Sequence, residues 1–289
     1  MQGKIPKKIK TLLIAGVFFF FGTAKLYACA FSNGFSNGFL NELPVAAASS
    51  ERESENPYGW EKLSSYTTYY DEKERGRAEN IKIAAELIDG ITIQAYGEFS
   101  FNSTVGRRTA EAGFQQAKII VNGEYVQGVG GGVCQVSTTL YNAALKSGLK
   151  ITEFHPHSLR VGYVPPSRDA MVSTQSDLRF FNPYAHPVHL SAQIFKGGIR
   201  VVFFGKSDGC RYEIVSAATE EVPPPPPIVK EGEEDGILRA PKNGMRSEAY
   251  LEIYRGTELL SRVKLRADEY LATQGIIVKK IPQATNYGQ

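Results

Sequence analysis

A cysteine stands between a glycine-rich segment and a run of helical periodicity. Cys134 follows Gly130-Gly131-Gly132-Val133, and Gly148 is placed to end a helix. Apolar side chains between them recur every four residues, at Val136, Leu140 and Ala144. The pattern therefore predicts a helix that begins at or near Cys134.

A cysteine at the start of a helix is a candidate nucleophile. The unpaired backbone N–H groups and the positive end of the helix dipole favour the thiolate, which is the reactive form of the side chain. The glycines upstream allow the backbone to approach a ligand closely. A second interpretation is that Cys134 is a small buried side chain and that the glycines serve tight packing.

A thiol enzyme also needs an imidazole to accept the proton and a polar group to orient that imidazole. Two histidines, His155 and His157, follow the predicted helix, and Asp169 comes after them. The extended pattern of residues 149–155 favours His155 as the base. The sequence predicts an acyl-transfer site made of Cys134, one of these histidines and Asp169.

Other groups near the predicted start of the helix are candidates to bind a substrate or its oxyanion. Backbone N–H groups in the first turn of a helix lack partners and suit this purpose. The candidate residues are Gly131, Gly132, Gln135, Ser137 and Thr138. No metal and no other cofactor is expected for this chemistry.

Two other arrangements of these residues stay open. Cys134, His155 and His157 include a His-x-His pair, which is a weak zinc signature. In an exported protein Cys134 could also form a disulfide with Cys210, and that bond would remove the nucleophile.

The segment from Leu63 to Gly205 resembles the VanW family, which is named after a protein encoded with some vancomycin-resistance clusters. The motifs that carry the resemblance include Gly97-Glu98-Phe99-Ser100-Phe101-Asn102, the cysteine segment, and His157-Ser158 through Arg168-Asp169-Ala170. The sequence departs from the family pattern at Tyr96, Phe154 and Ser167, and none of these three differences removes a candidate functional group.

This resemblance implies a place in the cell envelope, and it does not imply a particular reaction or glycopeptide resistance. It is stronger around His157 than around His155, so it favours His157 as the base. The strand pattern and the resemblance thus disagree about which histidine acts.

A looser similarity, from Gly132 to Asp169, links the chain to transglutaminase-like and papain-like thiol enzymes. The expected fold class is α+β, with helices packed on a mainly antiparallel sheet and a small all-β module at the C-terminus. A helix is predicted over 72–89, with Asp71 and Glu74 as a capping box. Alternation over 188–194 predicts a strand with His189 on its solvent face.

The first 30 residues have the features of a targeting segment. A basic stretch precedes an apolar core from Leu12 to Phe21, and small residues follow at Ala28-Cys29-Ala30. Residues 1–30 are predicted to be a signal peptide or, if uncleaved, a membrane anchor, and residues 31–56 a flexible stalk. The protein is therefore expected outside the cytoplasm, secreted or anchored at the cell envelope.

The rest of the chain is predicted to form a VanW-like domain at 57–206, a strand and Pro-rich linker at 207–230, and a β module at 231–289. Five consecutive prolines within the linker indicate a stiff spacer. The strand patterns around Arg255-Gly256 predict a hairpin. This module resembles the five-glycine domain, which implies binding to N-acetylglucosamine. The formal net charge of +3 comes from the basic leader, and nothing indicates nucleic-acid binding.

Two functions follow from these features. The first is a thiol peptidase, amidase or transpeptidase that acts on peptidoglycan. The second is a non-catalytic protein that binds the cell wall or a muropeptide, or that acts as a scaffold. In both, the partner is peptidoglycan or a muropeptide, with a membrane contact through the N-terminal segment if it is not cleaved. Replacement of Cys134 by Ser separates them, because it abolishes turnover and leaves binding nearly intact.

Overall fold

Two long helices pack against an antiparallel sheet in the first part of the described chain. The structure is a computed structural model that describes residues 60–121 and 123–280. The helices, in chain order, are α1 (Arg75–Ile88), α2 (Phe101–Val105) and α3 (Val133–Lys146). The predicted signal segment and stalk lie outside the described residues.

Helix α1 begins three residues later than its sequence pattern indicates. Asp71 accepts a hydrogen bond from the N–H of Lys73 (2.9 Å) in a turn before the helix, and Glu74 makes no capping bond with its side chain. The predicted capping box is therefore wrong. The apolar face is as expected, since the fully buried residues include Ile81, Ala84, Ala85 and Ile88.

Helix α3 is buried on almost every side. It follows Gly132, whose φ of 110° is a conformation that only glycine adopts readily, and Gly148 (φ 73°) follows its last turn. The polar side chains of the helix are buried together with its apolar ones because they form hydrogen bonds. For example, the hydroxyl of Thr139 lies 2.8 Å from that of Thr68.

Nine strands lie in the first part of the described chain. In chain order they are β1 (Glu61–Tyr69), β2 (Thr92–Ile93), β3 (Glu98–Ser100), β4 (Gln116–Val121), β5 (Glu124–Val129), β6 (Lys150–Glu153), β7 (Arg179–Phe181), β8 (Val188–Phe195) and β9 (Gly198–Gly205). They form an antiparallel sheet of order β1-β9-β8-β2, a smaller antiparallel sheet of order β3-β7-β6, and the hairpin β4-β5.

The predicted alternation over 188–194 corresponds to β8, but one residue on it was placed on the wrong face. His189 is buried, because β2 and Trp60 cover the face that was expected to meet solvent. Its ring Nδ1 lies 3.1 Å from the hydroxyl of Thr92, and the ring meets Trp60 edge-on.

Six further strands make up the C-terminal part of the described chain. They are β10 (Arg211–Val222), β11 (Ile228–Gly232), β12 (Gly236–Arg239), β13 (Gly244–Arg255), β14 (Glu258–Tyr270) and β15 (Ile276–Lys280). One sheet has the order β10-β13-β14 and the other the order β11-β15-β12, in which β11 and β15 run parallel. The hairpin that the sequence predicts at Arg255-Gly256 is formed by β13 and β14, with Gly256-Thr257 as the turn.

The described chain is therefore α+β in class and rich in strands, with three helices and fifteen strands. Within the described ranges, no helix combines the length and the apolar character needed to span a membrane.

Candidate active site

Cys134 is the second residue of α3 and lines a cavity of about 1000 Å³. Its side chain is half-buried. The thiol donates to the carbonyl oxygen of Val172 (3.4 Å), and the N–H of Val172 donates to the sulfur (3.5 Å). Val172 thus fixes the sulfur on the wall of the cavity.

Two glycines allow the start of α3 to pack closely on its neighbours. A Cβ on Gly131 would lie 2.6 Å from the carbonyl oxygen of Lys118 on β4, and one on Gly132 would lie 2.9 Å from that of Arg77 on α1. Asn80 of α1 donates to the carbonyl oxygen of Gly131 (2.9 Å). The glycine segment therefore has a packing role, and both glycines also line the cavity.

His157 lines the same cavity and forms a buried pair with Asp169. Both its Nδ1 and its backbone N–H lie 2.7 Å from Oδ2 of Asp169. A carboxylate accepts hydrogen bonds, so this contact assigns the donor proton to Nδ1. The other ring nitrogen, Nε2, is then free of the carboxylate.

His155 is placed elsewhere. Its Nε2 lies 2.9 Å from Oε1 of Glu153, and its side chain is partly exposed. Strand β6 ends at Glu153, so the period-two pattern that favoured His155 does not extend to that residue. The structure joins His157 to Asp169, and it does not join His155 to either Asp169 or the cavity.

Burial and hydrogen bonding act in opposite directions on these three groups. Burial raises the pKa of Cys134, but His157, with smaller contributions from the Val172 backbone bond and the charge of Arg108, holds the thiol pKa below its usual value. Burial lowers the pKa of His157, yet its bonds to Asp169 and Cys134 raise that pKa to about 9. Burial raises the pKa of Asp169, and the bond and charge of His157 bring it down to about 2. The three shifts all favour the charged forms, a thiolate beside an imidazolium and a carboxylate.

Val172 makes two hydrogen bonds with the sulfur, and the imidazole of His157 lies close enough to lower the pKa of the thiol. Catalytic hydrogen bonds are often long or poorly aligned before a substrate binds. The arrangement therefore places the two groups side by side without a tight bond between them.

Asp169 has further partners that the sequence did not indicate, and they come from β14. The hydroxyl of Tyr270 donates to Oδ1 of Asp169 (2.5 Å) and accepts from the N–H of Ser167 (2.8 Å). Arg266 donates to the carbonyl oxygen of Asp169 (2.5 Å), and its Nη2 lies 3.5 Å from Oδ1. Both side chains are buried, so the C-terminal sheet holds the carboxylate that orients His157.

Three of the predicted substrate-binding side chains are engaged in internal bonds. Gln135 accepts from Arg77 (2.6 Å) and donates to Thr68 (3.0 Å) and to the carbonyl oxygen of Tyr69 (2.9 Å). Its amide donors are thus both used, although the residue lines the cavity.

Ser137 and Thr138 hold the segment that carries Asp169. The Ser137 hydroxyl donates to the carbonyl oxygen of Ala170 (2.6 Å), and the Thr138 hydroxyl accepts from the N–H of Ala170 (2.9 Å). Both side chains are fully buried. Their place favours a structural role over contact with a substrate.

A backbone group at the start of α3 remains available. Within the described residues, the N–H of Cys134 has no hydrogen-bond acceptor, whereas the N–H groups of Val133 and Gln135 bond to Gly130 and Gly132. This donor belongs to the residue that carries the sulfur. It is the best-placed candidate for an oxyanion donor.

The two other arrangements of these residues are not formed here. Cys134 and Cys210 are both free thiols, so they are not paired in a disulfide. Among the described residues, no group of three His, Cys, Asp or Glu side chains has a metal-binding arrangement, and His155 is turned to Glu153.

The structural similarities concern a quarter of the chain. The structure titled "IgA1 Protease G5 domain structure" is 17% identical, with a TM-score of 0.20 over 25% of this chain and 89% of that chain. The structure titled "Crystal structure of HP0197-G5" is 15% identical, with a TM-score of 0.16 over 24% of this chain and 93% of that chain. These TM-scores are too low to assign a fold to the segment.

The sequence comparisons cover the region that holds Cys134, His157 and Asp169. A family described as "VanW like protein" matches residues 76–204. The "Uncharacterized protein YoaR" of Bacillus subtilis (strain 168) is 41% identical over 145 residues, which are 50% of this chain and 48% of that protein. The chain thus matches about half the length of this curated relative. Residues 76–204 of this chain are thus similar to the VanW family.

Proposed function

We propose that this protein is a thiol acyl-transfer enzyme of the cell envelope, a peptidase, amidase or transpeptidase that acts on peptidoglycan stem peptides. The observation that carries the proposal is the buried hydrogen bond between His157 and Asp169 in the wall of the cavity that also holds Cys134. A base that is oriented by a third group beside a nucleophile is the general signature of covalent catalysis.

Each residue has a distinct role in this mechanism. The thiolate of Cys134 attacks the carbonyl carbon of an amide, and the N–H of Cys134 donates to the oxyanion. The imidazolium of His157 gives its Nε2 proton to the leaving amine, which departs and leaves a thioester on the sulfur. The neutral imidazole then takes a proton from water or a second amine, which attacks the thioester and releases Cys134 as thiolate.

Asp169 orients the imidazole through Nδ1 and stabilises its charged form. The lowered pKa of Asp169 supports this role, because the carboxylate stays ionised wherever the rest of the site is active. Tyr270 and Arg266 act through Asp169 and are positioning residues.

The location and the substrate class are supported by sequence features and family similarity, and not by the geometry of the site. The similarity of residues 76–204 to the VanW family supports a place in the cell envelope, and the targeting features of residues 1–30 support export. Peptidoglycan is the peptide-bearing polymer of that compartment. A five-glycine-like module at 231–289 is part of the same proposal, and it gives the chain a second, glycan-binding contact with the wall.

A non-catalytic muropeptide-binding protein is the second candidate. It is favoured by one observation, namely that the sulfur makes two hydrogen bonds with the backbone of Val172. In that case the cavity binds a peptide, and the thiol is part of the cavity lining without a catalytic role.

The rate of alkylation of Cys134 by iodoacetamide as a function of pH tests the enzyme. The rate is read on the Cys134 peptide by mass spectrometry, in wild type and in the His157→Ala and His155→Ala variants. In wild type we expect the alkylation rate to rise at a pH well below the usual thiol pKa of about 8.5. The pH profile of this rate should shift to higher pH in His157→Ala and stay unchanged in His155→Ala. A thiol that is indifferent to His157 contradicts the mechanism.

Turnover and binding of peptidoglycan stem peptides then separate the two candidates. In the Cys134→Ser variant an enzyme loses release of amine or cross-linked product and still binds the peptide. If wild type binds the peptides with no turnover, and Cys134→Ser binds equally well, the second candidate is the correct one.

A further inference from the structure

The cavity beside Cys134 carries more positive than negative charge. Among the described residues that line it, the cations are Arg77, Arg107, Arg108 and Lys118, and the one carboxylate is Glu74. Arg77 and Glu74 already face each other at 3.8 Å. None of the other three cations has a carboxylate within ion-pair distance in residues 60–121 and 123–280.

These three cations extend from the thiol to the open side of the cavity. Arg108 is half-buried, and neutral groups hold its guanidinium, since it donates to Oδ1 of Asn102 (2.7 Å) and to the carbonyl oxygen of Gly106 (3.2 Å). Its charge lowers the pKa of Cys134. Arg107 and Lys118 are exposed and line the same cavity. Unpaired cations in a concave site concentrate anions near the reacting group.

We propose that this cavity selects a substrate with a carboxylate close to the amide that Cys134 attacks, and that Arg107, Arg108 and Lys118 bind this carboxylate. The planar fork of an arginine matches a carboxylate in shape as well as charge. A cavity of about 1000 Å³ has room for a peptide of a few residues around that group. The proposal rests on the acyl-transfer function above and adds a requirement: a stem peptide with a carboxamide in place of this carboxylate is a poor substrate.

The charge of the cavity is measured with a pair of small alkylating reagents. Iodoacetate is an anion and iodoacetamide is neutral, and both react with the same sulfur. The ratio of their rates at Cys134 is measured on the full chain by peptide mass spectrometry, with the urea-unfolded chain as reference. Because His157 contributes positive charge in every variant, the comparison between variants is what tests the three cations.

The variants replace Arg107 and Lys118, which are exposed, so the replacements should not disturb packing. We expect the iodoacetate-to-iodoacetamide ratio to fall about three- to tenfold in Arg107→Gln and in Lys118→Gln, and further in the double variant. Lys82→Gln on the exposed face of α1 removes the same charge outside the cavity and is the matched control, with no change expected. High salt should reduce the wild-type ratio. A ratio that is equal in all variants overturns the proposal.

A binding measurement tests the proposal independently of thiol reactivity. Calorimetry on the Cys134→Ser chain compares two synthetic stem peptides that differ in one position, a free carboxylate in one and a carboxamide in the other. We expect binding to weaken about fivefold or more on amidation, and the difference to disappear in the Arg107→Gln, Lys118→Gln double variant. Equal affinity of the two peptides, no binding of either, or inorganic phosphate that competes as well as the free-carboxylate peptide overturns it.

The two hypotheses fail in different ways. If Cys134 is inert to both reagents but the carboxylate peptide binds better than the carboxamide, the acyl-transfer function fails and the carboxylate site stands. If Cys134 reacts at low pH with no dependence on Arg107 and Lys118, the carboxylate site fails and the enzyme stands.

Discussion

Replacement of Tyr270 by Phe removes one buried hydroxyl next to Asp169 and leaves the ring in place. That hydroxyl donates to Asp169 (2.5 Å) and accepts the N–H of Ser167 (2.8 Å). A hydrogen bond to a charged group contributes about 1.5–3 kcal/mol, and a buried N–H left without a partner costs about 1–3 kcal/mol. The two contributions share one oxygen and do not simply add. We therefore expect the free energy of unfolding at pH 7 to fall by about 3 kcal/mol.

The loss should depend on pH in a direction that follows from the pKa of Asp169. Its folded pKa of about 2 lies below the usual 3.8, so the carboxylate contributes stability above pH 3.8, and this contribution is lost as the pH falls through 2. Without the Tyr270 bond the folded pKa of Asp169 should rise, because this bond is one of the contacts that lower it. The difference between wild type and Tyr270→Phe should therefore be largest above pH 4 and smaller at pH 2.5.

Urea unfolding followed by circular dichroism at pH 7, 5 and 2.5 measures this difference. Tyr254→Phe is the matched control, because the hydroxyl of Tyr254 also donates to a carboxylate, that of Glu252 (2.6 Å), but both residues are partly exposed. No measurable change is expected there. If Tyr270→Phe is as mild as Tyr254→Phe at pH 7, the inference that β14 holds Asp169 is refuted.

Three other predictions concern His157, Gly131 and Thr138. The folded pKa of His157, about 9, lies above the usual 6.5, so its charge-dependent stabilisation of up to about 3 kcal/mol is present in full below pH 6.5 and is lost as the pH rises through 9. The difference in thermal stability between wild type and His157→Gln should therefore shrink between pH 6.5 and pH 9.5, and what remains reflects the bond from Nδ1 to Asp169. Gly131→Ala should lower the urea midpoint by an amount equivalent to about 2 kcal/mol or more because its Cβ meets β4, whereas Gly236→Ala, with open space around it, should not. Thr138→Val keeps the side-chain volume but removes the acceptor of the Ala170 N–H, so it should cost about 1–3 kcal/mol in the same assay and accelerate hydrogen exchange of that amide.

Periodicity predicted those parts of the fold that depend on neighbours in the sequence. The buried face of α1, the hairpin around Gly256 and the strand at 188–194 all follow from side chains a few positions apart. The predictions that were wrong depend on contacts outside the local pattern. His189 is buried because Trp60 and β2, distant in sequence, cover its face, and the capping box failed because Asp71 caps a turn before the helix instead.

In the candidate site, too, local patterns predicted some features and missed those that depend on other contacts. Two histidines two positions apart in the sequence differ in their side-chain partners, which are Asp169 for His157 and the local Glu153 for His155. A period-two pattern could not distinguish them, because β6 ends before either residue. The resemblance around His157-Ser158 carried the information that periodicity lacked.

The partners of Asp169 on β14 could not be predicted from the sequence, and the reason is physical. Tyr270 and Arg266 are 101 and 97 residues from Asp169, and on a strand an arginine normally indicates an exposed face. Arg266 is buried here because three groups compensate its charge: Asp169, Asp268 and the ring of Phe154. Residues 76–204 contain the thiol, the imidazole and the carboxylate, but they lack two of the groups that hold the carboxylate. The geometry of the candidate site therefore depends on the C-terminal sheet, and a fragment that ends before β10 would keep the three reactive groups while losing the restraint on Asp169.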